Sequence, residues 1–142
     1  VSKDGCYAVA VEPVAIPLLS LEAAVPSNFN LVSLEGFTVG PLKFYGPGAG
    51  SLPTGNAVVQ DVIDVAHGRI QRYDLSRGLK YDPSLLTGDY VIRSSVAPSH
   101  SDGWAPGVWR LRSLTPPQAR QIYEKVLQED ASAFMAALPQ EG

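Results

Sequence analysis

Three glycines at alternate positions, Gly46, Gly48 and Gly50, separate an apolar run from a helix-forming one in Tyr45-Gly-Pro-Gly-Ala-Gly50-Ser-Leu-Pro-Thr54-Gly-Asn-Ala-Val-Val-Gln-Asp-Val-Ile-Asp-Val-Ala66. Glycine lets the backbone turn sharply and lets a ligand approach without meeting a Cβ. A helix that begins just after such a loop presents unpaired N–H groups and about half a positive charge, so the natural guest is an anion, most often a phosphate. A tight structural turn would use the same residues, and both readings stay open at this point. The Walker lysine is missing, and the glycine spacing is not that of the dinucleotide fingerprint.

Two elements must position this loop. Upstream, residues 39–45 carry β-branched and aromatic residues and read as a strand. Downstream, Thr54 is the predicted N-cap of a helix over Asn56–Ala66. Ala57, Val58, Val62, Val65 and Ala66 share one stripe of that helix, and Gly68 closes it. His67 at its C-terminus is read as a capping side chain rather than a catalytic one, because no second ligand or base stands at a useful spacing.

These residues resemble the closing motif of homoserine dehydrogenases, in which a Gly-x-Gly-Ala-Gly loop precedes a Thr-Ala-x-Ala-Val-x-x-Asp helix. The parts that match are Gly46-Pro-Gly-Ala-Gly50, Pro53-Thr54, Ala57-Val58-Val59 and Asp61; Gly55-Asn56 departs from the pattern. Val11-Glu12-Pro13 resembles the family's Val-Glu-Pro, and Asn28-Phe29-Asn30 with Leu34-Glu35-Gly36 resembles its Asn-Ala…Val-Glu-Gly region. The likeness covers about residues 5–68. It implies NAD(P)-dependent interconversion of aspartate semialdehyde and homoserine, in threonine and methionine biosynthesis. It implies NADP or NAD as cofactor, with Gly48, Ala49, Gly50, Ser51 and Thr54 on the cofactor side and Gly50 as the contact. It also implies a dimer interface, so that residues 29–45 would pair with a second copy.

The family's acid/base lysine belongs to a Gly-x-Asp-x-x-x-Lys helix near a Glu-x-Asp-Pro turn, and neither pattern occurs here. Its Rossmann Gly-x-Gly-x-x-Gly is missing too. The opening Val1-Ser-Lys-Asp-Gly is neither an initiator Met nor a signal peptide, which suggests a piece of a longer enzyme. The expectation is a catalytically silent piece with no catalytic or metal-ligating residue of its own.

Composition sets the outer bounds. With 142 residues, 45% hydrophobic and 18% charged, the chain is ordinary for a globular protein of one domain or slightly more. A net charge of −3 with scattered basic residues argues against a nucleic-acid surface. No apolar run reaches membrane-spanning length. The lone Cys6 excludes an internal disulfide and fits a reducing cytoplasm.

The predicted fold class is α+β, a mixed or antiparallel sheet with helices packed on it, within a larger two- or three-domain enzyme. The predicted organisation is 1–68 as the dehydrogenase segment, 69–88 as linker, and 89–142 as a β-hairpin plus helix. Strands are expected over 5–12, 29–35, 37–45, 89–96 and 107–114, with a Glu-Gly turn joining the second and third. A short helix is expected over 18–24. Thr115-Pro-Pro-Gln118 is a capping box that opens an amphipathic helix running to Leu138, broken or interrupted near Asp130. Residues 89–142 also bear a weak likeness to an ACT domain, a βαββαβ amino-acid sensor; a ββα or βββα extension is the preferred reading. The Ser-His-Asp trio at 99–102 is too close in sequence to form a hydrolytic triad and reads as a loop. Two further classes stay open: an amino-acid or anion sensor, and a dimerisation scaffold without ligand.

Overall fold

The computed structural model describes residues 1–73 and 78–139. The chain is α+β and divides into two compact units, Val1–Ile16 with Leu75–Gly142, and Pro17–Asp74.

In the first unit, β1 (Ser2–Lys3) and β2 (Cys6–Tyr7) form a tight antiparallel pair, and β5 (Lys80–Tyr81) adds to β2 in parallel. The strand expected over 5–12 is therefore cut to two residues. Residues 13–15 instead run beside a later strand, through a bridge between Val14 and Ala137 and the bonds Ala15 N–H to Ala137 O (2.8 Å) and Ala137 N–H to Pro13 O (2.9 Å). Proline at 13 removes a ladder donor and interrupts the regular pairing. The expected linker 69–88 contains β5 and a 3-10 turn at Pro83–Leu85, whose first N–H groups Asp82 caps through Ser84 N at 2.9 Å.

The main sheet of this unit is antiparallel and has the order β7-β8-β6-β9, with β6 Gly88–Arg93, β7 Asp102–Ala105, β8 Val108–Leu114 and β9 Phe134–Ala137. Helix α2 (Pro116–Glu129) packs on it. Alternation along β6 buries Tyr90 and Ile92, and β8 contributes Leu111; α2 meets them with Ala119 and Val126, two turns apart on one face. Thr115 donates both its backbone N–H and its hydroxyl to Gln118 Oε1, each at 2.9 Å, so the Gln118 half of the capping box forms.

Two expectations for this region are corrected. The loop at 98–106 contains a strand, β7, held to β8 by pairing and by Arg112 Nε to Asp102 at 2.7 Å. The helical period through Phe134, Met135 and Leu138 is in fact a strand. Asp130 ends α2, and the four residues of β9 are too few to nucleate a helix but fill the open edge of β6. The element order is β–β–β–α–β, without the helix that follows the first strand of an ACT domain.

In the second unit, β3 (Phe29–Gly36) and β4 (Gly40–Pro47) pair along their whole length, from Phe29↔Pro47 to Gly36↔Gly40. The turn is the three residues 37–39, not Glu-Gly. Gly40 takes φ +68, the left-handed conformation such a loop needs at its closing position. A single 3-10 turn at Glu22–Ala24 replaces the expected helix over 18–24. Glu22 accepts from Ser33 Oγ (2.8 Å) and from Lys43 Nζ on one face of the hairpin. The other face carries Val32, Leu34, Leu42 and Phe44, all exposed.

Candidate functional site

Helix α1 (Ser51–Ala66) starts directly at the glycine loop, five residues before the position expected from sequence. Its N-cap is Gly50, with φ 120 and ψ 158, a conformation that L side chains rarely adopt. Thr54 is therefore inside the first turn rather than capping it, and its N–H bonds to Gly50 O at 3.1 Å. Pro53 is accommodated because an N–H in the first turn has no intrahelical acceptor in any case. At the far end, Gly68 N–H bonds to Val65 O (3.0 Å) and Arg69 N–H to Asp64 O (2.8 Å), with Gly68 at φ +71, a Schellman closure. His67 places Nδ1 2.8 Å from Ile63 O, in keeping with a capping role.

Asn28 closes the loop from the other side. Its carbonyl accepts from Gly48 N–H (2.9 Å) and Ala49 N–H (3.3 Å), continuing the β3–β4 ladder by one step, and its side-chain amide donates to Ala49 O at 2.7 Å. A Cβ on Gly48 would run into the Asn30 carboxamide. Gly48 and Ala49 thus spend their N–H groups within the protein. Among the described residues, the N–H groups of Gly50, Ser51 and Leu52 have no acceptor. These donors lie at the positive end of a 16-residue helix, with no Cβ at 48 or 50, and suit the oxygens of an anionic nucleotide group. The sequence pointed to the loop but not to Asn28, although Asn28-Phe29-Asn30 was already part of the family likeness. A side-chain amide two strands away in sequence leaves no periodic signal.

Other candidate chemistry resolves into structure. Ser101 Oγ donates to Pro98 O (2.7 Å) and Asp102 pairs with Arg112, so the trio in the loop is not a hydrogen-bonded triad. No group of three potential metal ligands occurs among the described residues. In the first unit a groove of about 450 Å3 lies along α2 against Val11, Pro13, Phe134 and Met135. Its charges are already engaged: Arg120 pairs with Glu124 at 2.9 Å, and Glu12 accepts from Tyr90 Oη at 3.3 Å. Among the described residues no helix is long and apolar enough to cross a membrane.

The fold is α+β, and within it the glycine loop and its free amides converge on one helix N-terminus. Comparison with known proteins shows what this segment is similar to. The family model for homoserine dehydrogenase matches residues 2–63. The homoserine dehydrogenase of Bacillus subtilis is 46% identical over 64 residues, 44% of this chain and 15% of that protein. That of Corynebacterium glutamicum is 37% identical over 71 residues, 49% of this chain and 16% of that protein. A crystal structure of a homoserine dehydrogenase from Thiobacillus denitrificans superposes with a TM-score of 0.58 at 20% identity, covering 99% of this chain and 41% of that one; the likeness is one of fold. The sequence matches lie within the N-terminal half, where residues 2–63 are similar to homoserine dehydrogenases, and the chain spans well under half the length of these relatives.

Proposed function

We propose that this chain supplies one wall of the nucleotide site of a homoserine dehydrogenase. The reaction is the NAD(P)-dependent interconversion of aspartate semialdehyde and homoserine, a step of threonine and methionine biosynthesis. The observation that carries the reading is the loop geometry within the family-matched segment: Gly50 at φ 120, with the N–H groups of Gly50, Ser51 and Leu52 left to a ligand. Of the residues expected on the cofactor side, Gly50 and Ser51 would offer donors. Gly48 would keep the approach open. Ala49 would hold the loop to Asn28, and Thr54 would close the first turn behind it. When bound, the dinucleotide supplies the hydride; this chain's residues bind and orient it. The acid/base lysine is not among them, and the chain alone is expected to give no NADPH oxidation with aspartate semialdehyde.

The test is a transplant. Residues 2–63 would replace their counterpart in the Bacillus subtilis enzyme, and NADPH oxidation would be measured. An active chimera is expected, and Gly50→Val in it should raise the cofactor KM about tenfold or more through steric exclusion. A fully folded chimera whose cofactor KM ignores Gly50→Val would overturn the assignment.

A self-associating role is favoured by a separate observation. Val32, Leu34, Leu42 and Phe44 form an apolar hairpin face, and Val58, Val62 and Val65 an apolar helix stripe, with none of them buried. We infer that a second copy covers one of these faces in the assembled enzyme.

A further inference from the structure

We propose that Asn28 is the positioning residue of the glycine loop, fixing which backbone N–H groups face the nucleotide. This rests on the nucleotide-site reading above and adds to it the residue that shapes the site. Asn28 makes three bonds to two consecutive loop residues: its carbonyl takes Gly48 N–H (2.9 Å) and Ala49 N–H (3.3 Å), and its side chain gives to Ala49 O (2.7 Å). The same side-chain nitrogen lies 3.6 Å from where a Cβ of Gly50 would stand. One residue thus clamps the loop at 48 and 49 and abuts it at 50. The geometry divides the loop into two parts. Gly48 and Ala49 are held inward by the clamp, while Gly50, Ser51 and Leu52 are left as the donor set.

The clamp depends on polarity rather than bulk. The side-chain bond runs from an amide donor to a carbonyl acceptor, so an aspartate of the same shape would set oxygen against oxygen. A residue present only to fill space would accept that exchange without effect. Asn28 is exposed and lies outside the buried core cluster, so its variants leave the first unit intact as an internal reference.

The experiment uses the full 142-residue chain, 15N-labelled, as wild type, Asn28→Ala and Asn28→Asp. Amide exchange and 15N relaxation are read at 48–52, and pyrophosphate and NADPH are titrated while the same amides are followed. The expected result is exchange at Gly48 and Ala49 roughly three- to tenfold faster in both Asn28 variants: their N–H groups keep the Asn28 main-chain carbonyl as acceptor, but the loop opens more often once the side-chain bond to Ala49 O is lost. Amide signals of residues 88–137 should stay unchanged. Pyrophosphate should shift Gly50, Ser51 and Leu52 in the wild type and do so several-fold more weakly in Asn28→Asp. A loop that loosens in the variants, in a wild type indifferent to both ligands, would sink the nucleotide reading while leaving the clamp supported. An Asn28→Asp loop as ordered as the wild type, or one that binds pyrophosphate equally well, would overturn the clamp.

Discussion

At the scale of single residues, the carboxylate of Asp130, far from the glycine loop in sequence, gathers five hydrogen bonds from three serines. One carboxylate oxygen accepts from Ser132 N–H (2.9 Å) and Ser132 Oγ (2.6 Å); the other accepts from Ser95 N–H (2.8 Å), Ser95 Oγ (2.8 Å) and Ser94 Oγ (3.2 Å). Those donors, the Ser132 hydroxyl foremost, hold its pKa well below the ordinary carboxylate range. A carboxylate with a depressed folded pKa stabilises the fold above its unfolded value, near 4, and that stability is lost as pH falls below it. The first unit is therefore expected to weaken in acid, and Asp130→Asn should flatten that acid limb in urea melts run from pH 6 to pH 3. At the alkaline end, burial first and the Glu12 carboxylate second push the Tyr90 hydroxyl up to about 12. Its neutral form is the one the fold favours, so stability is present below the unfolded value near 10 and is lost as pH rises from there toward 12. Tyr90→Phe should remove that loss, as read by tryptophan fluorescence against pH. Asp130 was legible in sequence only as a breaker in a helical pattern. Its serine partners at 94 and 95 meet it through the fold, from a strand end about 35 positions away.

At the scale of elements, periodicity read from sequence worked wherever an element buries a face in its own unit. Strands β6 and β8 and helix α2 were visible because Tyr90, Ile92, Leu111, Ala119 and Val126 repeat at the spacing their packing requires. Ile92→Ala is expected to cost about 2–5 kcal/mol by opening a cavity in this core, against about 1 kcal/mol for removing the cap with Thr115→Ala. Chemical denaturation of the two variants side by side checks that order. The hairpin β3–β4 was legible through its alternation and its glycines, although its turn is displaced to 37–39. The elements that escaped were those fixed by pairing alone. Strand β9 repeats like a helix yet lies on the edge of β6, and β7 is a short polar stretch whose only support is β8. The start of α1 was missed for a different reason. Thr54 suits an N-cap and set the expected start, but proline in a helix's first turn removes no intrahelical bond and Gly55 costs only about 1 kcal/mol in a helix of 16 residues, so the helix runs back to Ser51.

At the scale of the whole molecule, the two units differ in kind. The first has a core in which Ile92 and Leu111 are fully buried, whereas the described residues of Pro17–Asp74 include none that is buried. A two-stranded hairpin is marginal by itself in water, so this piece is one whose own contacts suffice for shape but not for stability. Sedimentation velocity should show mass rising with concentration if a second copy supplies the missing contacts. Phe44→Lys, a charge on the apolar hairpin face, should abolish that rise while the first unit stays folded. The absent core has a consequence for denaturation as well. The steepness of a urea transition and the heat-capacity increment both scale with the surface newly wetted on unfolding. Residues such as Val32, Phe44 and Val62, each more than half exposed in the folded chain, have little left to wet. The monomeric chain should therefore melt with the gentle slope and small heat-capacity step of a protein much shorter than its sequence.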